Sequence, residues 1–378
     1  MKTVLDPRRL LIGASAPVLA LLFAVAVTSV VLATAGKDVW LTWQTLLQPQ
    51  DFRRTLVLTI NQGTYIFLSA LAVAIGFRMN LFNIGVDGQY RMGAFAGAVV
   101  GGAVTLPTGI HVVVIILVSM VVSALWAGIA GLLKVTRGVS EVISTIMLNA
   151  IATSLIAYML RRVQVPVAGS NNIGTKPIPG SGRVPGLGLV PGTPAEIYGL
   201  VFLAIAAGIA YHVLLNRTRF GYDLRATGRS STAAVASGVD VKRMVVVAML
   251  ISGAAAGLVG MPILLGEAYS YSITFPAGLG FTGIAVALLG RNSPVGMALA
   301  ALLFGYLNVA ANPLQILANV STEVVAIIQG LILLSVVVAY EVVRRYRIAA
   351  EQRRVAREVQ DDPVDSDGSG PSPAEVPA

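Results

Sequence analysis

The sequence predicts an all-α, polytopic integral membrane protein with about ten transmembrane helices and both termini in the cytoplasm. Three observations carry this. Of the 378 residues, 56% are hydrophobic and only 12% charged, with a mean hydropathy of +0.79, whereas a soluble domain carries roughly 25% charge. Apolar runs of the length a bilayer demands, about 20 residues, recur along the chain. Lys and Arg divide unevenly between the segments that join those runs.

The runs fall at about 10–35, 56–77, 84–106, 110–133, 140–160, 195–215, 244–265, 274–290, 295–312 and 323–342. The first ends on Ala33-Thr34-Ala35, a small-residue sequence of the kind signal peptidases cut. It is longer than the 7–15 apolar residues of a signal peptide, so an uncleaved anchor is expected. With the N-terminus inside and the runs alternating, 20 Lys and Arg face the cytoplasm and 7 the outside. That is the sense of the positive-inside rule. Segment 163–194 holds six Pro and seven Gly. No spanning helix tolerates that, and unpaired backbone does not face lipid, so this loop is expected outside and in water. Residues 216–243 form the longest cytoplasmic loop between spans. Residues 1–342 therefore make a transmembrane domain and 343–378 a cytoplasmic tail. The tail is basic to Arg357, as a continuation of the last helix. Beyond it come six acidic residues, no Lys or Arg, and repeated Pro and Gly, a disordered composition.

Composition excludes several functions. A soluble enzyme could not bury so much apolar surface. Cys is absent and the two His are distant in sequence, which removes disulfides, thiolate chemistry and a His-based metal cluster. The net charge of +9 has no basic stripe interleaved with aromatics, so it matches anionic lipid rather than nucleic acid. No G-x-x-x-x-G-K-[ST] occurs, so any nucleotide that drives this protein is hydrolysed on another chain. No cofactor is expected.

Polar groups inside the apolar runs are the candidate pathway residues: Asn61, Asn83, Asp87, Gln89, Asn149 and Asn308. Buried polar groups in lipid face a cavity or one another, and amides both donate and accept, as an uncharged polar solute requires. For Asn83 and Gln89 two readings stand side by side: lining a path, or capping a broken helix at Asn83-Ile84-Gly85-Val86-Asp87-Gly88-Gln89. Asp87 and Arg91 also form an i, i+4 pair. Glu141, Glu267 and Glu323 lie near run ends, where interfacial water solvates them. Gly93, Gly97 and Gly101, echoed by Gly253 and Gly257, mark either close static packing or a sliding contact. In the long cytoplasmic loop, a helix is expected from Asp223 with Leu224, Ala226, Ala233, Ala234 and Ala236 on an apolar side. It docks a soluble partner or floats on lipid; charge alone does not separate these. Gly221 and Gly228 are expected to let the backbone bend there.

These residues carry a resemblance. Thr218-Arg219-Phe220-Gly221-Tyr222-Asp223-Leu224-Arg225-Ala226-Thr227-Gly228, with Ala233-Ala234 and Ser237-Gly238-Val239 after it, resembles the coupling loop of ABC importer permeases of the simple sugar, nucleoside and branched-chain amino acid type. Phe82–Gln89 resembles that group's FNIGxEGQ run, with Asp87 where Glu is usual. Ser140–Asn149 resembles EVIxTIMLN, and Gly278–Asn292 resembles GxGFxGIAVALLGRN. The second and fourth of these motifs look most like nucleoside importers, with ribose or galactose importers as near neighbours. The resemblance implies a permease subunit with no active site, in the plasma membrane of a prokaryote. It implies four kinds of partner: a second permease subunit in a heterodimer, two cytoplasmic ATP-binding subunits, an extracytoplasmic solute-binding protein or lipoprotein, and a small polar solute. It assigns coupling to Arg219, Phe220, Gly221, Asp223, Arg225, Ala226 and Gly228. An ion-driven secondary transporter using Asp87 and Glu323 as relays is the alternative. A membrane-embedded enzyme lacks any HExxH or GxSxG motif.

Overall fold

The structure, a computed structural model, describes residues 22–167 and 171–335, with positions 338, 342, 345, 348 and 352 beyond them. The start of the first predicted run and most of the tail lie outside the described residues. The chain divides into two compact units, Val30–Leu333 and the remainder. In the smaller unit the described residues are helical. The larger unit carries the architecture.

Its helices are α1 (Leu22–Thr34, continuous with the smaller unit), α2 (Val39–Leu47), α3 (Phe52–Phe77), α4 (Val86–Ala103), α5 (Ile110–Arg137), α6 (Glu141–Val163), α7 (Val201–Arg217), α8 (Arg219–Arg229), α9 (Ser231–Ala236), α10 (Val241–Gly257), α11 (Met261–Ile263), α12 (Leu279–Leu289), α13 (Pro294–Ala318) and α14 (Thr322–Ser335). A π-helical turn, Leu264–Ala268, extends α10 and α11 into one 28-residue span. Starts follow side-chain caps. Asp51 accepts from Arg54 N–H at 2.9 Å, Asp240 from Arg243 N–H at 3.0 Å, and Ser293 from Gly296 N–H at 3.1 Å, each satisfying an amide that the first turn leaves unpaired. α5 stops at Gly138, whose φ of 68° only glycine takes readily.

Among the described residues five helices are long and apolar enough to cross a membrane: α3, α5, α6, the α10–π span and α13. A sixth arises if α7 and α8 count as one span bent by 71°. Two sequence boundaries are corrected. The run at 274–290 contains a helix of only 11 residues, about 16 Å long at ~1.5 Å per residue, because Pro276 and the left-handed Gly278 (φ 86°) keep its first five residues out of the helix. The run ending at 312 continues through Pro313 to Ala318. The short α2 was not foreseen.

The core centres on α3 and the α10 span, the two most buried spans, and α5 packs against both α4 and α10. The glycine rows of both neighbours land on this helix. A Cβ at Gly93 would stand 2.6 Å from Ser119 Oγ, one at Gly257 2.6 Å from Met120 Cα, and one at Gly253 2.6 Å from the Ser123 carbonyl oxygen. Two serines lock the contact: Ser119 donates to Gly257 O and Ser123 to Gln89 O, each at 2.8 Å. The static reading of the glycine rows is the one this packing matches.

The Pro/Gly-rich segment is ordered where it is described. β1 (Val165–Pro166) pairs antiparallel with β2 (Ile173–Gly174), and β3 (Gly186–Leu187) with β4 (Ile197–Tyr198). The segment folds onto the far end of the α10 span: Ile178 N–H donates to Tyr269 O and Val184 N–H to Leu265 O, both at 2.8 Å. At the opposite end, Arg78 donates to Asn292 O at 2.7 Å and Asn80 to Gly228 O at 2.6 Å. The connections 78–85, 218–240 and 290–293 thus share one end of the bundle. Residues 164–200 and 264–272 share the other.

Candidate functional site

The site forms where α3 and α4 are broken apart. α3 ends at Phe77, Asn80 turns the chain at a φ of 56°, and α4 begins at Val86. The α4 start lies well inside the bundle. Gly88 meets Asn149, eight residues into α6, about 12 Å from that helix's end at the usual rise. α12 begins at a similar depth: Ser69, eight residues before the end of α3, donates to Leu279 O at 2.8 Å. Two helix N-termini, each with unpaired N–H groups and a partial positive charge, therefore meet inside the membrane-spanning region.

Four of the six predicted pathway residues gather at this junction. Asp87 Oδ1 accepts from Gly278 N–H at 2.7 Å and Gly280 N–H at 3.3 Å, capping α12 from across the fold. Its Oδ2 lies 3.9 Å from Arg91 Nη1. Asn149 caps α4 from α6: its Oδ1 accepts from Gly88 N–H at 2.8 Å and its Nδ2 donates to Ile84 O at 2.9 Å. Asn83 and Gln89 are fully buried. Asn83 Nδ2 donates to Gln89 Oε1 (3.0 Å) and Ser252 Oγ (2.8 Å), while its Oδ1 accepts from Gly85 N–H (3.1 Å) and Gln89 Nε2 (2.8 Å). Two donors and two acceptors exhaust that amide. Of the two readings left open by the sequence, the geometry of Asn83 and Gln89 is that of closing the break.

The other two stand apart. Asn61 holds the Pro/Gly-rich segment, donating to Glu196 O and accepting from Tyr198 N–H at 2.9 and 2.8 Å. Asn308 joins α13 to α14 by accepting from Gln329 at 2.7 Å. Two of the end-of-run carboxylates are exposed, Glu267, which accepts from the Tyr198 hydroxyl, and Glu323; Glu141 departs from the expectation, being buried and paired with Lys134. Burial first, and then that Glu267 carboxylate, push the Tyr198 phenol above its ordinary pKa.

Sequence reasoning passed over Ser252, which donates to Ala72 O at 2.7 Å while accepting from Asn83. It also passed over Thr153, which accepts from Arg91 at 2.9 Å. A lone hydroxyl in an apolar helix is a weak signal because it can bond its own preceding turn. Two grooves of about 340 and 270 Å³ open elsewhere, one among α2, α3 and α13 and an apolar one among α3, α5, α7 and α10. Neither reaches the junction.

The long segment between α7 and α10 folds into α8 and α9. Thr218 caps α8 by accepting from Gly221 N–H at 3.1 Å, so the helix starts at Arg219 rather than Asp223. Leu224 and Ala234, two of the expected apolar side, are buried against the chain's own body. Ala226 is half-buried, as are Phe220, Asp223 and Arg225. The outward surface is instead Arg219, Tyr222, Arg229, Val235 and Ala236, with Tyr222 67% and Val235 61% exposed. The expected bends at Gly221 and Gly228 are corrected. Both lie within α8 at negative φ, and their missing Cβ atoms admit the end of α7 and the backbone of Arg78 and Met79.

Comparison with known proteins bears on this arrangement. Residues 55–337 match the family model described as branched-chain amino acid transport system / permease component. A guanosine ABC transporter permease protein of Bacillus subtilis is 37% identical over 287 residues, 75% of this chain and 81% of the relative. A glucose ABC transporter permease protein of Haloferax volcanii is 32% identical over 382 residues, 96% and 97% of the two chains. A nucleoside ABC transporter permease protein of Lactococcus lactis is 28% identical over 330 residues, 86% and 90%. No solved structure matches.

Proposed function

The chain belongs to the family of branched-chain amino acid transport system permease components, and from that membership we propose that it is the membrane-spanning subunit of an ATP-driven importer for a nucleoside. The observation that carries the solute is the 37% identity to a guanosine permease over three quarters of the chain. A hexose is the second reading, favoured by the near full-length identity to a glucose permease.

In this reading the protein sits in the plasma membrane of a prokaryote and pairs with a second permease subunit in a heterodimer. Two ATP-binding subunits serve it from the cytoplasm. A solute-binding protein or lipoprotein delivers from outside. Residues 1–342 are the permease domain. The end of the bundle that gathers 78–85, 218–240 and 290–293 faces the cytoplasm, because the Lys and Arg excess lies there. α8 and α9 dock on the ATPase through Arg219, Tyr222, Arg229 and Val235. Phe220, Gly221, Asp223, Arg225, Ala226 and Gly228 form their inner support. Asp87, Asn149, Asn83 and Gln89 shape the route at the junction, with Asn61 at its outer end and Asn308 at the α13–α14 contact.

Uptake of labelled guanosine, adenosine, ribose and glucose into vesicles containing all subunits and ATP tests the reading. Nucleoside uptake competed by other nucleosides is expected. Glucose uptake without nucleoside uptake overturns it in favour of the hexose.

A further inference from the structure

The chain between the π turn and α12 is the least expected feature of the fold. Residues 272–278 form neither a helix nor a sheet ladder. Their inner end, Gly278, lies at the depth of Ser69, about 12 Å inside α3 at the usual helical rise. Along this stretch Ile273, Thr274, Pro276 and Ala277 are exposed, Ile273 at 64%. Irregular backbone at membrane depth is tolerated only where protein covers it or water fills the space before it; lipid offers it no hydrogen bonds.

What borders the stretch is polar. Tyr90 donates to Pro276 O at 2.6 Å, Asp87 holds Gly278, and the Tyr271 hydroxyl adjoins the Arg91 guanidinium. Arg91 lies one turn deeper than Asp87 and donates to Thr153 at 2.9 Å. Thr153 is exposed and stands near the middle of the 23-residue α6. The Arg91 side chain is 17% exposed, and its Nε is buried without a partner. A guanidinium halfway across a bilayer is costly in lipid and usual only beside a cavity or a partner charge. Among the described residues its counter-charge is Asp87, whose Oδ2 stands 3.9 Å from Nη1 while Oδ1 is engaged by two N–H groups.

We propose that Arg91, Thr153 and the non-helical chain 272–278 form one wall of a water-filled solute path at mid-membrane, and that Arg91 hydrogen-bonds the passing solute. The inference rests on the importer reading above and deepens it. The wall carries one cation and one anion, so it offers strong donors and acceptors with no net charge. That suits an uncharged solute with several hydroxyl or carbonyl oxygens, and it disfavours anions and free cations. Tyr271 stacks on Phe275 at 4.6 Å and meets Phe95 edge-on at 5.6 Å.

The native chain has no cysteine, so single cysteines report directly. Thr153→Cys, Thr274→Cys and Ala277→Cys are placed in the assembled importer, with Val121→Cys and Ile209→Cys as apolar exposed controls on α5 and α7. A water-soluble thiol reagent should modify the first three at least about tenfold faster than the controls, since only an aqueous surface supports the thiolate. Rates equal to the controls mean that lipid or a packed subunit covers the wall, and overturn the proposal. In uptake assays Arg91→Leu should raise KM about tenfold or more, the loss of a charge-assisted hydrogen bond, with Arg91→Lys recovering part of it. An unchanged KM in Arg91→Leu overturns the solute contact. Labelling needs no transported solute. Absence of nucleoside uptake by the wild type would therefore remove the nucleoside reading while leaving the wall to be judged by its labelling.

Discussion

At the scale of single residues, the polar side chains in the membrane divide by what they satisfy. Asn149 answers two backbone groups of α4 at once. Replacing it with Leu leaves the Gly88 N–H and the Ile84 carbonyl unpaired, at about 1–3 kcal/mol each. Asn149→Leu should therefore lower the thermal midpoint of the purified subunit and slow uptake while leaving membrane insertion intact. A midpoint equal to wild type would remove its capping role. Asp87→Leu should cost more, because it uncaps α12 and also strands Arg91 without a counter-charge. Double substitution of Asp87 and Arg91 by Leu should be less damaging than the sum of the single changes, which a thermodynamic cycle reads. The presence of special residues here was legible in sequence, since amides and an acid interrupt an apolar run. Their task was not, because the partners arrive from far along the chain: Ser252 lies 169 residues from Asn83, and Gly278 lies 191 from Asp87.

At the scale of elements, periodicity located the helices but not their extents. The apolar run 274–290 has the length of a span, yet its first five residues are not helical. Pro276 and Gly278 carried that signal, and hydropathy outweighed it. The glycine rows were readable as packing, while the helix receiving them was not, because spacing names a face and not a partner. Gly93→Leu or Gly257→Leu would drive a side chain into α5. Each should destabilise by about 1–3 kcal/mol or more and reduce the yield of folded protein. Leu125→Ala, on the exposed side of α5, should leave that yield unchanged. In α8 and α9 the apolar residues were legible in sequence, but their faces were inverted. Leu224 packs inward and Tyr222 outward. Tyr222→Ala and Val235→Glu should weaken co-purification of the ATPase with no loss of thermal stability, about 1–3 kcal/mol for a docked anchor. Leu224→Ala should instead lower stability.

At the scale of the whole molecule, the ordering of connections between the two ends of the bundle matches the charge division read from sequence. An impermeant thiol reagent on intact cells should label Leu189→Cys, in the exposed outer loop, but Ser230→Cys only after permeabilisation. The reverse pattern would invert the orientation. One contact in this plan has a mechanical side. Gly228, at the last turn of α8, abuts the backbone of Arg78 and Met79, and Asn80 holds the Gly228 carbonyl at 2.6 Å. α8 leaves α7 at 71°, so it stands as a crank whose tip presses on the strand of chain leading, within five residues, to Asn83. A push on α8 is thereby delivered to the α4 start without travelling the length of any helix. Asn80→Ala should introduce play into this linkage, so that ATP is consumed at the normal rate while less solute moves per ATP.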